Sequence, residues 1–185
     1  MSTLITNNIV RPDGVPLLNS TGNIIQVVTV RSDTQTIYSS SNSGNGTTIA
    51  ALNLTVTPLS ASSKLVMTWH MFYEADHDNV FLIHRNGALI TDSGKEGYNN
   101  VVGNARYSGY VGAIFDNATN NDSTPHVLKI NYSEIAGSTT ARTYAPAVRS
   151  SDANNYTMYL NRCIGTPTDN YEVGISFGRL YEIAQ

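Results

Sequence analysis

From Asn23 onward the hydrophobic and polar positions follow a period of two, or run as short apolar blocks, and they break at turn residues every 8 to 14 positions. Both patterns predict strands: alternation marks a half-buried strand, and a continuous apolar run of four to eight marks a strand buried on both faces. Asn23 to Arg31 is β-branched and mostly apolar, Ser32 to Ser41 is polar and strand-like, and residues 42–46 form a loop. Thr48 to Thr57 alternates in its second half and stops at Pro58. Lys64 to Glu74 (KLVMTWHMFYE) is long and carries apolar residues on both faces, which predicts a central strand. Residues 75–79 form a short acidic loop, followed by the apolar strand Val80 to His84. Asn86-Gly87 then predicts a tight hairpin with Ala88 to Thr91, because both residues tolerate positive φ. Residues 92–106 read as a polar loop, Tyr107 to Phe115 as a glycine-spaced strand, and residues 116–125 as another loop. Val127 to Ile135 alternates well, Thr139 to Val148 is interrupted by Pro146, and Tyr156 to Ile164 and Val173 to Ile183 close the chain. No window holds three turns of helical periodicity between caps. Eight to ten short antiparallel strands of this kind predict an all-β sandwich, with a jelly roll as the favoured form.

Residues 1–22 differ from the rest. They contain Pro12, Asp13-Gly14, Pro16 and Gly22, and their apolar residues come in pairs without a sustained period. This predicts an extended N-terminal arm before a sandwich domain of residues 23–185. At roughly 3.3 Å per residue such an arm could reach about 70 Å, far enough to dock on a neighbouring subunit; a frayed terminus is the plainer alternative.

Composition narrows the functional classes. The 185 residues carry a formal net charge of −3, and only 14% are charged. Asn, Ser, Thr, Gly and Tyr take the place of the missing charge, which favours strands and turns over helices. An acidic chain with three lysines is not expected to bind nucleic acid. No apolar run approaches the ~20 residues of a membrane span, and Met1 to Val10 lacks the shape of a signal peptide. One cysteine, Cys163, excludes an intrachain disulfide and a cysteine-based zinc site.

Candidate chemistry is sparse. If Glu74 and Val80 closed a hairpin, His70 and His84 would face each other across two strands, with Asp76, His77 and Asp78 crowning the loop. That pair is the candidate for a metal or pH-sensitive site, and the alternative is two partly buried histidines bonded to their neighbours. No catalytic motif built on a serine elbow, a metal-binding helix or a glycine-rich loop is present, so no catalytic residue, cofactor or metal is assigned. Cys163 sits in a strand pattern and reads as a structural thiol. The eleven tyrosines are more informative. Tyr98, Tyr107 and Tyr110 lie in or beside the 92–106 loop, and Tyr144 and Tyr156 flank another. They suit either sugar stacking in adaptable loops or a subunit interface, where the ring is buried and its hydroxyl stays wet.

Five segments carry a resemblance: Gly22 to Val30, Val56 to Val66 (VTPLSASSKLV), Phe81 to Leu89 (FLIHRNGAL), Tyr156 to Arg162 and Gly178 to Ala184 (GRLYEIA). Together they resemble the jelly-roll domains of tailed-phage virion proteins, found in tail fibres and related surface proteins, notably of phages of aquatic bacteria such as cyanophages. The resemblance covers roughly residues 22–185. It implies a homotrimeric sandwich on the surface of a phage particle, joined to other virion proteins by its arm. Leu4, Ile5, Ile9, Val10, Leu17 and Leu18 would be the attachment residues of that arm. The family shares no catalytic set. Long fibres have shafts before this domain, whereas the arm here has about 22 residues, so the chain would be a short fibre, a separately encoded tip or a capsid-surface protein.

The leading expectation is a tail-fibre-like protein that attaches the virion to host surface glycans, without membrane insertion. Its contact loops would be 92–106 and 116–125, with Tyr98, Asn99, Asn100, Tyr107, Asn117 and Asn120 as ligand-binding candidates. Two alternatives share the fold: a decoration or head-fibre protein that coats the capsid, and a free carbohydrate-binding module of lectin type.

Overall fold

The computed structural model describes residues 21–42, 44–75, 77, 79–90, 101–102, 106–107, 109–112, 123–151, 154–166 and 171–185; for 101–102 and 106–107 only the backbone is described. The expected arm residues Leu4, Ile5, Ile9, Val10, Leu17 and Leu18 therefore lie outside the described residues, as do Tyr98, Asn99, Asn100, Asn117 and Asn120.

Among the described residues, fourteen strands form two large antiparallel sheets and one small hairpin. The first sheet contains β1 (Ile24–Ser32), β2 (Thr36–Ser40), β5 (Lys64–Ala75), β11 (His126–Ile135), β13 (Tyr156–Leu160) and β14 (Ser176–Ile183). The second contains β3 (Thr47–Thr48), β4 (Leu54–Val56), β6 (Asn79–Arg85), β7 (Ala88–Leu89), β10 (Tyr110–Gly112) and β12 (Arg142–Ser150). The hairpin pairs β8 (Val101–Val102) with β9 (Arg106–Tyr107).

Several short strands lie end to end along one edge of a longer one. β14 pairs with residues 64–70 of β5 and β13 with residues 73–75, while β1 and β2 continue the same line outside them. On the second sheet β4 and β3 share one edge of β12, and β10 and β7 share one edge of β6. Merged in this way, eight rails remain. In chain order the first sheet runs 1-8-3-6 and the second 2-7-4-5. Successive rails change sheet except the fourth and fifth, β6 and the β7–β10 edge, which pair directly, and this is the jelly roll, with edges shortened by double-sheet Greek-key winding.

Side-chain alternation fills the space between the sheets. Leu65, Met67, Trp69, Met71 and Tyr73 of β5 point inward and meet Phe81, Ile83, Tyr144, Val148, Leu54 and Val56 from the opposite sheet. The strand expected over Thr48 to Thr57 is broken by a 3-10 turn at Ala50–Leu52, which drops Leu52 into the core and lets its carbonyl accept the Trp69 indole N–H at 3.0 Å. The same turn explains how Pro146 sits inside β12. Asn86 N donates to Thr143 O, so odd residues of β12 face β6 and even ones face the other edge. There the partner strand is interrupted by the turn, and Ile49 N donates to Pro146 O while no bond is asked of the missing proline N–H.

Asn161 holds the first sheet together where its rails break. Its backbone is left-handed (φ 61°), and its side-chain nitrogen donates to Ser32 O, Ser32 Oγ and Thr34 O at 3.0–3.1 Å, across the gap between β1 and β2. Asn161 N donates to Phe72 O, and Ser176 Oγ accepts from Phe72 N while donating to Asn161 Oδ1. A side-chain relay thus replaces the ladder bonds missing between β13 and β14.

One sequence expectation is overturned. β5 and β6 are not a hairpin: β5 ends at Ala75 in the first sheet, and β6 begins at Asn79 in the second, where it pairs with β12, β10 and β7. Both edges of β5 are taken, by β14 and β13 on one side and β11 on the other, which leaves β6 no edge to join. The Asn86-Gly87 hairpin does form, with φ of 54° and 76° and Arg85 opposite Ala88.

Candidate binding site

His70 and His84 consequently lie on different sheets. His70 stands on the outer face of β5, stacked on Phe177 at 4.7 Å. His84 is buried on β6 between Thr48 Oγ1 (2.7 Å from Nδ1) and the Asn45 carbonyl (2.8 Å from Nε2). The two do not form a site, and among the described residues no group of three or more His, Cys, Asp or Glu is placed to hold a metal ion.

The tyrosines divide by position. Tyr73, Tyr132 and Tyr144 are core residues, at most 1% exposed, although Tyr144 was expected beside a loop. Tyr110 lies at the second sheet's edge and donates its hydroxyl to Asn131 O. Tyr107 pairs with Val101 in the small hairpin. The sequence could not separate these roles, because a strand tyrosine facing in and one facing out differ by a single step of register.

Buried polar groups are committed to the fold. Glu134 accepts from Arg85 Nη1 at 2.8 Å through both oxygens, from the Tyr132 hydroxyl at 2.8 Å and from the Tyr144 hydroxyl, with Arg142 Nη1 at 3.7 Å. Burial alone would raise its pKa, but the hydrogen bonds from Tyr144, Tyr132 and Arg85 outweigh that and hold it below the ordinary carboxylate value. The same burial, together with the Glu134 charge, pushes both phenols up. Glu74 is fully buried and accepts from Thr124 N, Thr124 Oγ1 and Ile164 N. Beside it, burial and then the Glu74 charge push the Cys163 thiol up to about 11, which makes it a poor nucleophile.

The two ends of the sandwich differ. At one end lie chain entry and exit: Gly22 N donates to Ala184 O at 2.8 Å, and Ala184 N to Asn23 O at 2.9 Å. The turns 57–63, 86–87 and 136–141 close this end with short connections. At the other end lie the strand ends from which connections 41–46, 76–78, 113–125 and 151–155 depart. Their roots are fastened to one another. Ser40 Oγ donates to Asn79 Oδ1, Asn42 N to Asn155 Oδ1 at 2.8 Å and Ser150 N to Ser41 O at 3.1 Å, while His77 stacks on Tyr156 at 4.4 Å. These four connections contain Asp76, Asp78, Asp116, Asp122 and Asp152 and no Lys or Arg. β5 spans the molecule from end to end, and its 12 residues separate the two ends by about 40 Å.

The candidate loops divide between two places. The connection containing Asn117 and Asn120 leaves β10 opposite Asn79 and returns at Ser123 and Thr124 beside Glu74, so both its roots are at the far end from chain entry. The segment containing Tyr98, Asn99, Asn100 and Tyr107 leaves after Ile90, which follows β7, and returns at Gly109, which precedes β10; β7 and β10 lie on the same edge of β6. Sequence reasoning missed a third surface, the outer face of the first sheet, where a groove of about 370 Å³ is lined by Thr29, Arg31, Ile175, Phe177 and Arg179 with backbone of Val30 and Gly178. The alternation of β1 and β14 contained that signal, but which strands are neighbours could not be read from it. No protein-family model matches the chain, and no curated protein matches it.

Proposed function

We propose that this chain is a surface protein of a phage particle, tail-fibre-like, that attaches the virion to its host as a homotrimer and performs no catalysis. The observation that carries the reading is the polarity of the sandwich. Residues 1–20 precede the end where Gly22 bonds Ala184, and the strand ends that carry connections 41–46, 113–125 and 151–155 lie about 40 Å away. A molecule anchored at its N-terminus would hold those connections outward, toward whatever the particle approaches. Short side-by-side sandwiches in several copies per particle would turn weak single contacts into avidity. The motif resemblance supplies the virion setting, and the glycan as host ligand follows from the Asn- and Tyr-rich loops.

Gold-tagged antibody against the chain, imaged on intact particles, tests this. Label at the tail or baseplate is the expected result. Label spread over the head would instead make the chain a capsid decoration protein, and deletion of residues 1–20 would then release it and weaken the capsid. A free soluble lectin would label no particle, and its glycan binding would survive that deletion.

A further inference from the structure

Among the described residues, the exposed Lys and Arg side chains not held by a buried acid lie on one face. Arg142, Arg149 and Arg162 are buried, and Arg85 is committed to Glu134. The other cationic side chains of Lys and Arg among the described residues are Arg31, Lys64, Lys129 and Arg179, all exposed, and all four share the outer face of the first sheet. Register places them. Arg31 lies opposite Phe177, Phe177 opposite His70 and His70 opposite Lys129, which makes one row across four rails. The neighbouring row is Thr29, Arg179, Thr68 and Asn131. Directly opposite residues share a face of the sheet, so both rows look the same way.

The groove lies where the β1 and β14 ends of these rows meet. Arg31 and Arg179 stand at its sides, Arg179 with its guanidinium 5.3 Å from the Phe177 ring centre. Ile175, 51% exposed, and Phe177 supply an apolar floor, and Thr29 adds a hydroxyl. The Phe177 ring is steadied by its stack on His70. Arg31 holds Asp33 through Nη1 at 2.7 Å, but both side chains are more than half exposed, so an incoming carboxylate would meet the remaining N–H groups of Arg31. His70 registers the field of this face: burial and then the charges of Lys129 and Arg179 hold its pKa below the ordinary value.

We propose that this groove binds a carboxylated sugar unit of an acidic polysaccharide. The carboxylate would sit between the guanidiniums of Arg179 and Arg31, whose planar forks suit paired hydrogen bonds to two oxygens. The apolar side of the sugar ring would lie on Ile175 and Phe177, and its hydroxyls would meet Thr29. A volume of about 370 Å³ is at the small end of ligand-sized sites and admits a unit or two rather than a protein segment. Lys129 lies three strand spacings from Arg31, about 14 Å, so a chain of charged units would meet both where a single unit could not. Choosing a sugar over another carboxylate rests on the proposed role at a cell surface; the charge sorting does not.

Calorimetric titration of the full chain with tri-galacturonate and with its methyl ester tests the proposal. The acid form should bind, more tightly at low than at physiological salt, and the ester should bind about tenfold or more weakly. Arg179→Gln, at an exposed position where an unchanged melting temperature is expected, should weaken the acid form about fivefold or more. Phe177→Leu should weaken both forms alike by removing the ring while keeping apolar volume. Equal binding of acid and ester, no binding of either, or indifference to Arg179→Gln would overturn the proposal. So would poly-glutamate or inorganic sulfate competing as tightly as the trisaccharide, because the site would then serve an acidic protein or be a plain anion patch. None of these outcomes depends on where the protein sits on a particle, so binding and particle label can fail separately.

Discussion

Glu182 Oε1 accepts a hydrogen bond from Leu59 N at 2.8 Å, joining the last strand to a turn 123 residues earlier in the chain. The same oxygen accepts from Ser60 N at 3.1 Å, and Glu182 is fully buried. The turn is further tied by Ala136 N donating to Ser63 O and Gly137 N to Ala61 O. Two of the segments that carry the resemblance, VTPLSASSKLV and GRLYEIA, are therefore two halves of one structural clasp. Removing the carboxylate strands two backbone donors, so Glu182→Ala should cost about 2–4 kcal/mol, and Glu182→Gln, which keeps an acceptor, should cost less. A fall in the urea midpoint at unchanged m-value is the measurement that checks this.

The Glu134 cluster should shape stability at both extremes of pH. Its folded pKa is depressed, so the stability it contributes is present above the ordinary carboxylate value, near 4, and is lost as pH falls through the folded value below that. The folded pKa values of Tyr132 and Tyr144 are raised, so their contribution is complete below about pH 10 and is lost as pH rises toward the folded values. Glu134→Gln should flatten the acid limb of a stability–pH curve. An unchanged acid limb would place the acid sensitivity elsewhere.

Asn161 should tolerate little. Asn161→Ala loses three donor contacts and keeps an unfavourable left-handed backbone, with an expected cost of about 2–3 kcal/mol. Asn161→Asp should be worse, because a carboxylate would face the carbonyls of Ser32 and Thr34. Asn161→Gly separates the two effects, since it relieves the backbone without restoring the bonds. Thermal melts of the three variants should rank Gly above Ala and Ala above Asp.

Cys163 should be silent toward thiol reagents in the native state. It is fully buried and its thiol is pushed up to about 11, so almost no thiolate exists at pH 8. Colour development with a disulfide reagent should require denaturant, and its rate should then follow unfolding. Rapid native labelling would mean that the region around Glu172 opens far more easily than its hydrogen bonds suggest.

If the chain is the proposed attachment protein, adsorption should depend on its candidate loops. Tyr98→Ala combined with Tyr107→Ala should then lower host adsorption without changing the oligomeric state of the purified protein. Unchanged adsorption would remove the 92–106 segment from the binding surface and leave the 116–125 connection at the far end.

The sequence by itself determined the material of the fold. Alternation and apolar runs located β1, β5 and β11 to within one residue at each end and β14 to within three, and the Asn86-Gly87 turn was legible because its positive φ needs those residues wherever the hairpin lies. Local pattern could not state which strand lies beside which. A five-residue connection between two apolar strands reads as a hairpin, and only the occupation of both β5 edges by strands from the far end of the chain sends β6 to the other sheet and parts His70 from His84. The candidate groove was illegible for the same reason. Arg31, Phe177, His70 and Lys129 come from four rails spread over the whole chain, and only the paired register of β1, β14, β5 and β11 brings them into one row. Periodicity along a strand decides which face a side chain takes; the long-range hydrogen-bond ladder decides what stands next to it.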